Sequence, residues 1–417
     1  MYSQKLEPKN SVQNHQTKAS FFAQMTMREF LFVLALATKP LYLRSSGSVQ
    51  VSDLLFVLLF GLLIFRGGPV FQTPLEKKWL VWFTICLLYQ FVVNLLNFFS
   101  EQTQSTRVLD MSLLKNNLYY FFNFLVCITV MQLRSLKGFS YTLRLYLTGT
   151  ILSVIIAMIG VVLQYRGTGR ATGFFNNPNQ LGYFCIICLS VATFFAKEIK
   201  PPVRLFVVVV CLGMTMLSLS KASIVSSTIL LFAYFVNSRD RVGPSKLLSV
   251  LLSIIVVAAV VYIIMYADWE YLNSKPFIVT LRKRLGAITT ENDSDLGTGR
   301  GYDRIREIGS WIVTGVGEGS YFRFTAMRGK EVHSLYASFL VSYGIIGVLM
   351  MAWIMTTALF TKKRYARSLL CFSGILAYCV THNGVRSTVL WALLAMLLIR
   401  PTEEAEPEAP AAVGNHA

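Results

Sequence analysis

The groups in this chain best suited to chemistry are guanidinium, ammonium and imidazole side chains rather than paired carboxylates. They fall in five places: Arg166 and Arg170 in "YRGTGRATGFFNNPNQLGYF", Lys221 in "SLSKAS", the arginines of "LRKRLGAITTENDSDLGTGRGYDRIREIGSW", His333 in "VHSLYASF", and "THNGVR" over 381–386. Fixed guanidinium groups in a water-poor site stabilise the negative charge that builds on a diphosphate as its bond to a sugar breaks. They also grip phosphate oxygens in bidentate fashion. An imidazole, whose ordinary pKa lies near neutrality, suits the matching task of taking a proton from an acceptor hydroxyl. No Asp-x-Asp pair and no His/Cys cluster suggests a metal clamp, so cationic side chains would have to carry the charge.

Composition identifies the scaffold that must hold these groups. The chain has 417 residues, 54% of them hydrophobic and 14% charged, with a mean hydropathy of +0.54. Soluble domains carry about a quarter charged residues. The apolar residues are gathered into runs of the length needed to cross about 30 Å of hydrocarbon as a helix. The expectation is an all-α polytopic membrane protein with up to twelve spans. They fall near 28–43, 52–65, 79–98, 115–133, 139–164, 181–197, 203–219, 222–237, 247–266, 333–360, 368–381 and 387–399. The first, second and last are weak or short. The first run does not read as a cleaved signal peptide, because a long polar stretch precedes it and no small-residue cleavage site follows. All 7 cysteines lie in apolar runs and read as small buried hydrophobes; Cys185 and Cys188 have C-x-x-C spacing but no second pair or histidine nearby.

The net charge of +18 is mostly topological. Alternate connections hold Arg66/Lys77/Lys78, Arg134/Lys137, Lys197/Lys200/Arg204, Arg239/Arg241/Lys246 and Lys362/Lys363/Arg364/Arg367, whereas the short connections on the other side are poor in Lys and Arg. That pattern puts both termini in the cytoplasm. No basic stripe interleaved with aromatics asks for nucleic acid. The expected organisation is a disordered N-terminus (1–27), spans one to nine (28–266), a long outer loop (267–332), spans ten to twelve (333–400) and an acidic disordered tail (401–417). Within the loop, Ile305, Ile308 and Ile312 have helical spacing and predict a short amphipathic helix over 301–313. The five places named above then share the outer face.

Each place has an ordinary reading by itself. Arginines at a membrane border snorkel to headgroups, a histidine at a helix start is an interfacial polar group, and Lys221 closes a hairpin. In "FFNNPNQ", Asn177 or Asn179 caps a helix entry. Their joint placement on one face is what favours a site.

The order "GRATGFFNNPNQLG", "LSLSKAS", a long outer loop with "TGRGYDRI" and "GSWIVTGVGEGSYF", then "VHSLYASFLVSYGIIGVL" resembles the O-antigen ligase and Wzy-type polymerase family over roughly residues 165–350. That family carries a G-x-F-x-x-P-N segment, a Ser-Arg hairpin, an S-G-R…G-x-G stretch and an H-[NS]-x-x-L…G-x-x-G span start. The resemblance implies a GT-C-like bundle in a bacterial inner membrane, with its active site facing the periplasm. It implies a glycosyltransferase that uses neither metal nor cofactor and takes a glycan from undecaprenyl diphosphate. The acceptor is another lipid-linked repeat in a polymerase and lipid A core in a ligase; the sparse match favours the polymerase. Membrane lipids, a chain-length regulator and a flippase are the further partners implied. Carried over residue by residue, His333 is the base, Arg300 a diphosphate ligand, Arg170 a second contact and Arg284 a third. Lys221 stands where the family has arginine and keeps the charge without the bidentate fork. Gly173 and Pro178 would shape a re-entry of the chain, with Asn176 and Asn179 offering neutral hydrogen bonds beside Arg170. Two other classes stay open: a transporter or flippase of anionic or lipid-linked solutes, and a scaffold without chemistry. Against the transporter, the charges gather at one face, with Arg144 the exception inside a span.

Overall fold

In the computed structural model the described residues are 25–45, 48–67, 69–102, 112–165, 169–237, 276–290, 300–318, 332–360 and 365–401. Every regular element among them is helical. In chain order they are α1 (Met27–Ala37), α2 (Val51–Ile64), α3 (Pro74–Gln102), α4 (Ser112–Lys137), α5 (Phe139–Gln164), α6 (Pro178–Phe194), α7 (Pro201–Ser218), α8 (Lys221–Asn237), α9 (Pro276–Thr290), α10 (Leu335–Phe360), α11 (Tyr365–Cys379) and α12 (Thr388–Leu398). Four of them, α3, α5, α7 and α10, are long and apolar enough to cross a membrane. Helices α2, α6, α8, α11 and α12 are apolar but shorter. The run expected at 247–266, the N-terminal stretch to residue 24 and the tail from 402 lie outside the described residues.

The two helices that are apolar all round form the middle of the bundle, as that pattern requires. Every residue of α12 is buried, and so is α6 from Leu181 to Phe194. Helix α6 packs against α7, α8, α11 and α12, while α12 also lies on α4 and α10. Around them, α3 exposes Val81, Trp82, Ile85, Leu88, Phe91, Val92 and Leu96. An outward apolar surface of that extent suits hydrocarbon, not water. Between such helices apolar contact alone discriminates little, because lipid tails are equally apolar. Buried hydrogen bonds between helices therefore matter, at roughly 0.5–2 kcal/mol each. Trp79 Nε1 donates to the Ile354 carbonyl at 2.9 Å and Gln132 Nε2 to the Leu63 carbonyl at 3.3 Å.

Ion pairs mark both ends of the bundle. One end has Glu76 with Arg134, Glu29 with Lys137 at 2.9 Å, and Glu198 with Arg400 at 3.1 Å. The other end carries the α1–α2, α5–α6, α7–α8 and α11–α12 connections together with 300–318 and 332–334. There Tyr42 N donates to the Phe174 carbonyl at 3.2 Å, tying the first connection to the second.

Two expectations for the outer loop change. The isoleucine spacing over 301–313 predicts one amphipathic helix, but the chain forms two 3-10 turns, Asp303–Arg306 and Gly309–Ile312. Gly309, with φ +51°, interrupts the ladder between them. The apolar side survives the break: Ile305, Ile308 and Ile312 pack with Val316 and with Val341 of α10. The stretch expected as a long loop also contains α9, whose Leu281 is buried against Leu219 and Ile224 of the α7–α8 hairpin.

Candidate functional site

The segment "GFFNNPNQ" is a turn followed by a capped helix start. Gly173 takes φ +55°, a conformation open to glycine. Asn177 is the N-cap of α6, its Oδ1 accepting from Gln180 N at 2.9 Å, and Pro178 occupies the first turn, where no N–H is needed. Of the two residues weighed as cap, Asn177 performs that role, which releases Asn179 for another. Asn179 Oδ1 accepts from Arg170 at 2.7 Å, while Arg170 Nε donates to the Ser218 carbonyl at 2.9 Å. Ala171 N adds a bond to the Leu217 carbonyl at 2.9 Å, so the α5–α6 and α7–α8 connections run side by side. Asn176 departs from expectation. Its amide is turned to the α1–α2 connection, donating to the Arg44 carbonyl at 2.9 Å, because the cap at Asn177 points the preceding residue outward.

Lys221 begins α8, three residues after the carbonyl that holds Arg170, and its Nζ is buried. Between them Leu219, fully buried, adopts φ +49°. A non-glycine residue there costs about 1–2 kcal/mol, a strain the packing around it must offset.

A second pair of segments closes on the same corner. Tyr302 OH donates to the Val380 carbonyl at 2.6 Å and accepts from Ser334 Oγ at 2.7 Å. One tyrosine thus pins residues 300–302 to both the start of α10 and the end of α11. Arg300, two residues before it, and His333, adjacent to Ser334, are brought together by this clamp. His333 is exposed and Arg300 half-buried. The ion pairs among the described residues join Lys39–Asp53, Arg134–Glu76, Lys137–Glu29, Arg386–Glu318 and Arg400–Glu198, and none includes Arg300.

His382 completes the corner, a residue that the sequence marks only as part of a polar turn. Its ring stacks on Tyr378 at 4.6 Å and 22°, and Tyr378 stacks on Tyr183 at 4.6 Å and 23°. Tyr378 OH donates to the Asn179 carbonyl at 3.0 Å, which links the stack to the residue holding Arg170. His382 Nδ1 lies 2.9 Å from Thr381 Oγ1. Burial, then the charges of Arg300, His333 and Arg170, push its pKa from 6.5 down to about 4. The imidazole is therefore neutral near pH 7. Arg300 and His333 from the segment before α10 and Arg170 from the α5–α6 connection all act on His382 in the α11–α12 connection, and each disfavours its protonated form.

A different charge cluster lies at the other side of the same α11–α12 connection. Glu318, from "TGVGEG", pairs with Arg386; it also accepts from Tyr343 OH at 2.8 Å and Tyr120 OH at 3.4 Å, and its N–H donates to Asn94 Oδ1 at 2.8 Å. Arg386 lies over the Tyr119 ring at 5.5 Å. This segment is seated in a kink of α10. Gly344 leaves the helical conformation at φ +64°, and the freed carbonyls of Val341 and Ser342 accept from Val316 N at 3.0 Å and Gly317 N at 2.9 Å. Ile346 N reaches back to the Val313 carbonyl at 3.3 Å. The backbones touch because Gly315 has no side chain: a Cβ there would stand 2.3 Å from the Ser342 oxygen.

Of the residues expected to act, Arg170, Asn179, Lys221, Arg300 and His333 lie at the same end of the bundle, and Asn176 serves the scaffold. Arg284 is on the backbone of α9, with its side chain outside the described set, as is Arg166. Cys185 and Cys188 are fully buried free thiols. Sequence reasoning named "THNGVR" as a segment but gave His382 and Arg386 no individual role, and it missed the pairing of Arg386 with Glu318. The signals present were one histidine in a turn of few residues and one carboxylate among glycines. Compared with protein-family models the chain matches none, and no curated protein matches it.

Proposed function

We propose that this chain is a membrane glycosyltransferase that takes glycan repeats from undecaprenyl diphosphate and polymerises a surface polysaccharide on the outer face of a bacterial inner membrane. The observation that carries this reading is the convergence of Arg300, Arg170 and His333 at one end of a bundle with membrane-length helices. The twelve-span GT-C-like arrangement and the periplasmic orientation belong to the same proposal and rest on the distribution of Lys and Arg.

In this reading the lipid tail lies along the outward apolar surface and the diphosphate meets Arg300 and Arg170. Charge builds on the departing diphosphate as the sugar–oxygen bond breaks. The Arg170 guanidinium, already held by the Ser218 carbonyl and by Asn179, stabilises it without reorganising, and Arg300 adds its charge. His333, open to the outside, takes the proton of the incoming hydroxyl. Lys221 adds a point charge behind Arg170. A ligase would share all of this and differ only in its acceptor, lipid A core in place of a second lipid-linked repeat.

Two measurements test the proposal. Deleting the gene and sizing the surface glycan separates the classes: single repeats without long chains mean a polymerase, finished chains left on undecaprenyl diphosphate mean a ligase, and an unchanged glycan defeats the proposal. His333→Ala should lower transfer by about a hundredfold or more, the usual worth of a general base, with the thermal midpoint unchanged. Normal transfer in that variant would remove the base assignment.

A further inference from the structure

His382 has no part in the mechanism just given, yet it stands in the middle of the cationic corner. Its position is built by contacts from several connections. Tyr378 supports the ring from below and is itself bound to Asn179. Thr381 engages Nδ1, and no described residue bonds Nε2. Tyr302 fixes the backbone at Val380, two residues away, and carries Arg300 with it. A half-buried ring with one nitrogen anchored, standing in the field of two arginines, is placed for an anionic ligand.

We propose that His382 is a member of the anion site and takes up a proton from solvent as a diphosphate docks, so that Nε2–H becomes a donor to a phosphate oxygen. This rests on the diphosphate-donor reading above. The physical reason is the sign of the surrounding charge. The groups that face His382 are Arg300 and His333 from the outer segment, Arg170 from the α5–α6 connection, and the Tyr378 ring of α11, with Tyr183 of α6 beyond it. Glu318 is engaged with Arg386, and although Asp303 and Glu307 lie in the same segment as Arg300, no ion pair among the described residues includes Arg300. With the site empty, a proton on His382 would be repelled by the guanidinium groups and held back by burial. A bound diphosphate reverses the local field and supplies an acceptor. Proton affinity must then rise, and by linkage the anion binds more tightly as the proton does. In the imidazolium both nitrogens carry hydrogen: Nδ1–H serves Thr381 Oγ1 and Nε2–H serves the ligand.

The chain has only 4 histidines, so the imidazole signals of the full protein in phosphatidylcholine nanodiscs can be assigned by single substitutions and titrated by NMR. Three additions are compared: undecaprenyl diphosphate without glycan, inorganic diphosphate, and uncharged undecaprenol. The expected result is a midpoint for His382 that rises by at least about one unit, a tenfold gain in proton affinity, with the lipid diphosphate and not with undecaprenol. A matching rise with inorganic diphosphate supports the proposal and assigns the effect to the headgroup alone. If the lipid diphosphate binds in a manner lost in Arg300→Gln while the His382 midpoint stays put, the proposal fails and the donor reading stands. If neither diphosphate binds, both fail. His382→Phe, which keeps the stack on Tyr378, should weaken lipid-diphosphate binding at pH 6 more than at pH 8; equal weakening at both pH values would mean a packing role and overturn the proposal.

Discussion

Arg386 lies within the short connection between α11 and α12, Arg300 acts on His382 of the same connection, and their surroundings differ in one respect. Arg386 meets a carboxylate, Glu318, whose remaining acceptor capacity is taken by Tyr343 and Tyr120. Arg300 meets an imidazole and a second arginine region, with no carboxylate paired to it among the described residues. A buried charge that is matched and fully hydrogen-bonded stabilises a shape. A cationic group kept without its counter-ion costs stability, and that cost has a use where an anion arrives from outside. The first cluster is architecture for the second: it holds the outer segment in the kink of α10, upstream of His333.

The contrast can be broken most sharply at its backbone. Gly315→Ala would drive a Cβ into the Ser342 carbonyl at a residue with φ +82°, and Gly344 opposite offers no room to relax. We expect a loss beyond about 4 kcal/mol, read as failure to recover folded protein in detergent. A stable Gly315→Ala variant would mean the segment is not seated in the helix.

Next comes the charge pair itself. Glu318→Gln keeps the shape but removes the negative charge that Arg386 faces, and because Arg386 is 30% exposed the expected cost is at the lower end for a broken buried pair, about 3 kcal/mol in unfolding free energy. Arg300→Ala, by contrast, should leave the thermal midpoint nearly unchanged while glycan transfer falls. If the two variants destabilise equally, Arg300 is structural and the distinction between the clusters disappears.

The smallest effect is a dependence on pH. His382 has its pKa depressed from 6.5 to about 4, so the folded state holds that proton more weakly than the unfolded chain does. Stability is therefore full above the unfolded value and declines as pH falls from 6.5 toward about 4, where the loss is complete. His382→Phe cannot titrate. The difference in midpoint between wild type and this variant should shift against the wild type across that window and stay flat above it; a constant difference would remove the electrostatic account.

Much of this was legible in the sequence because hydrocarbon imposes simple rules. Apolar runs of span length and the proline entry into α6 followed from composition and local backbone chemistry alone. Assigning Asn177 as cap and Asn179 as the partner of Arg170 needed the structure, since adjacent asparagines differ only in where the helix begins.

What the tertiary structure decided was everything that depends on meeting across the bundle. Glu318 and Arg386 are far apart in the chain, and neither has a local pattern that predicts the other. The same holds for His382, which acquires its neighbours only when Tyr302 fastens the outer segment to Val380. Local sequence specifies helices through periodicity and caps, which are short-range terms. A charge's counter-ion is set by long-range packing, and that is what separates Arg386, paired with Glu318, from Arg300, which joins no ion pair among the described residues.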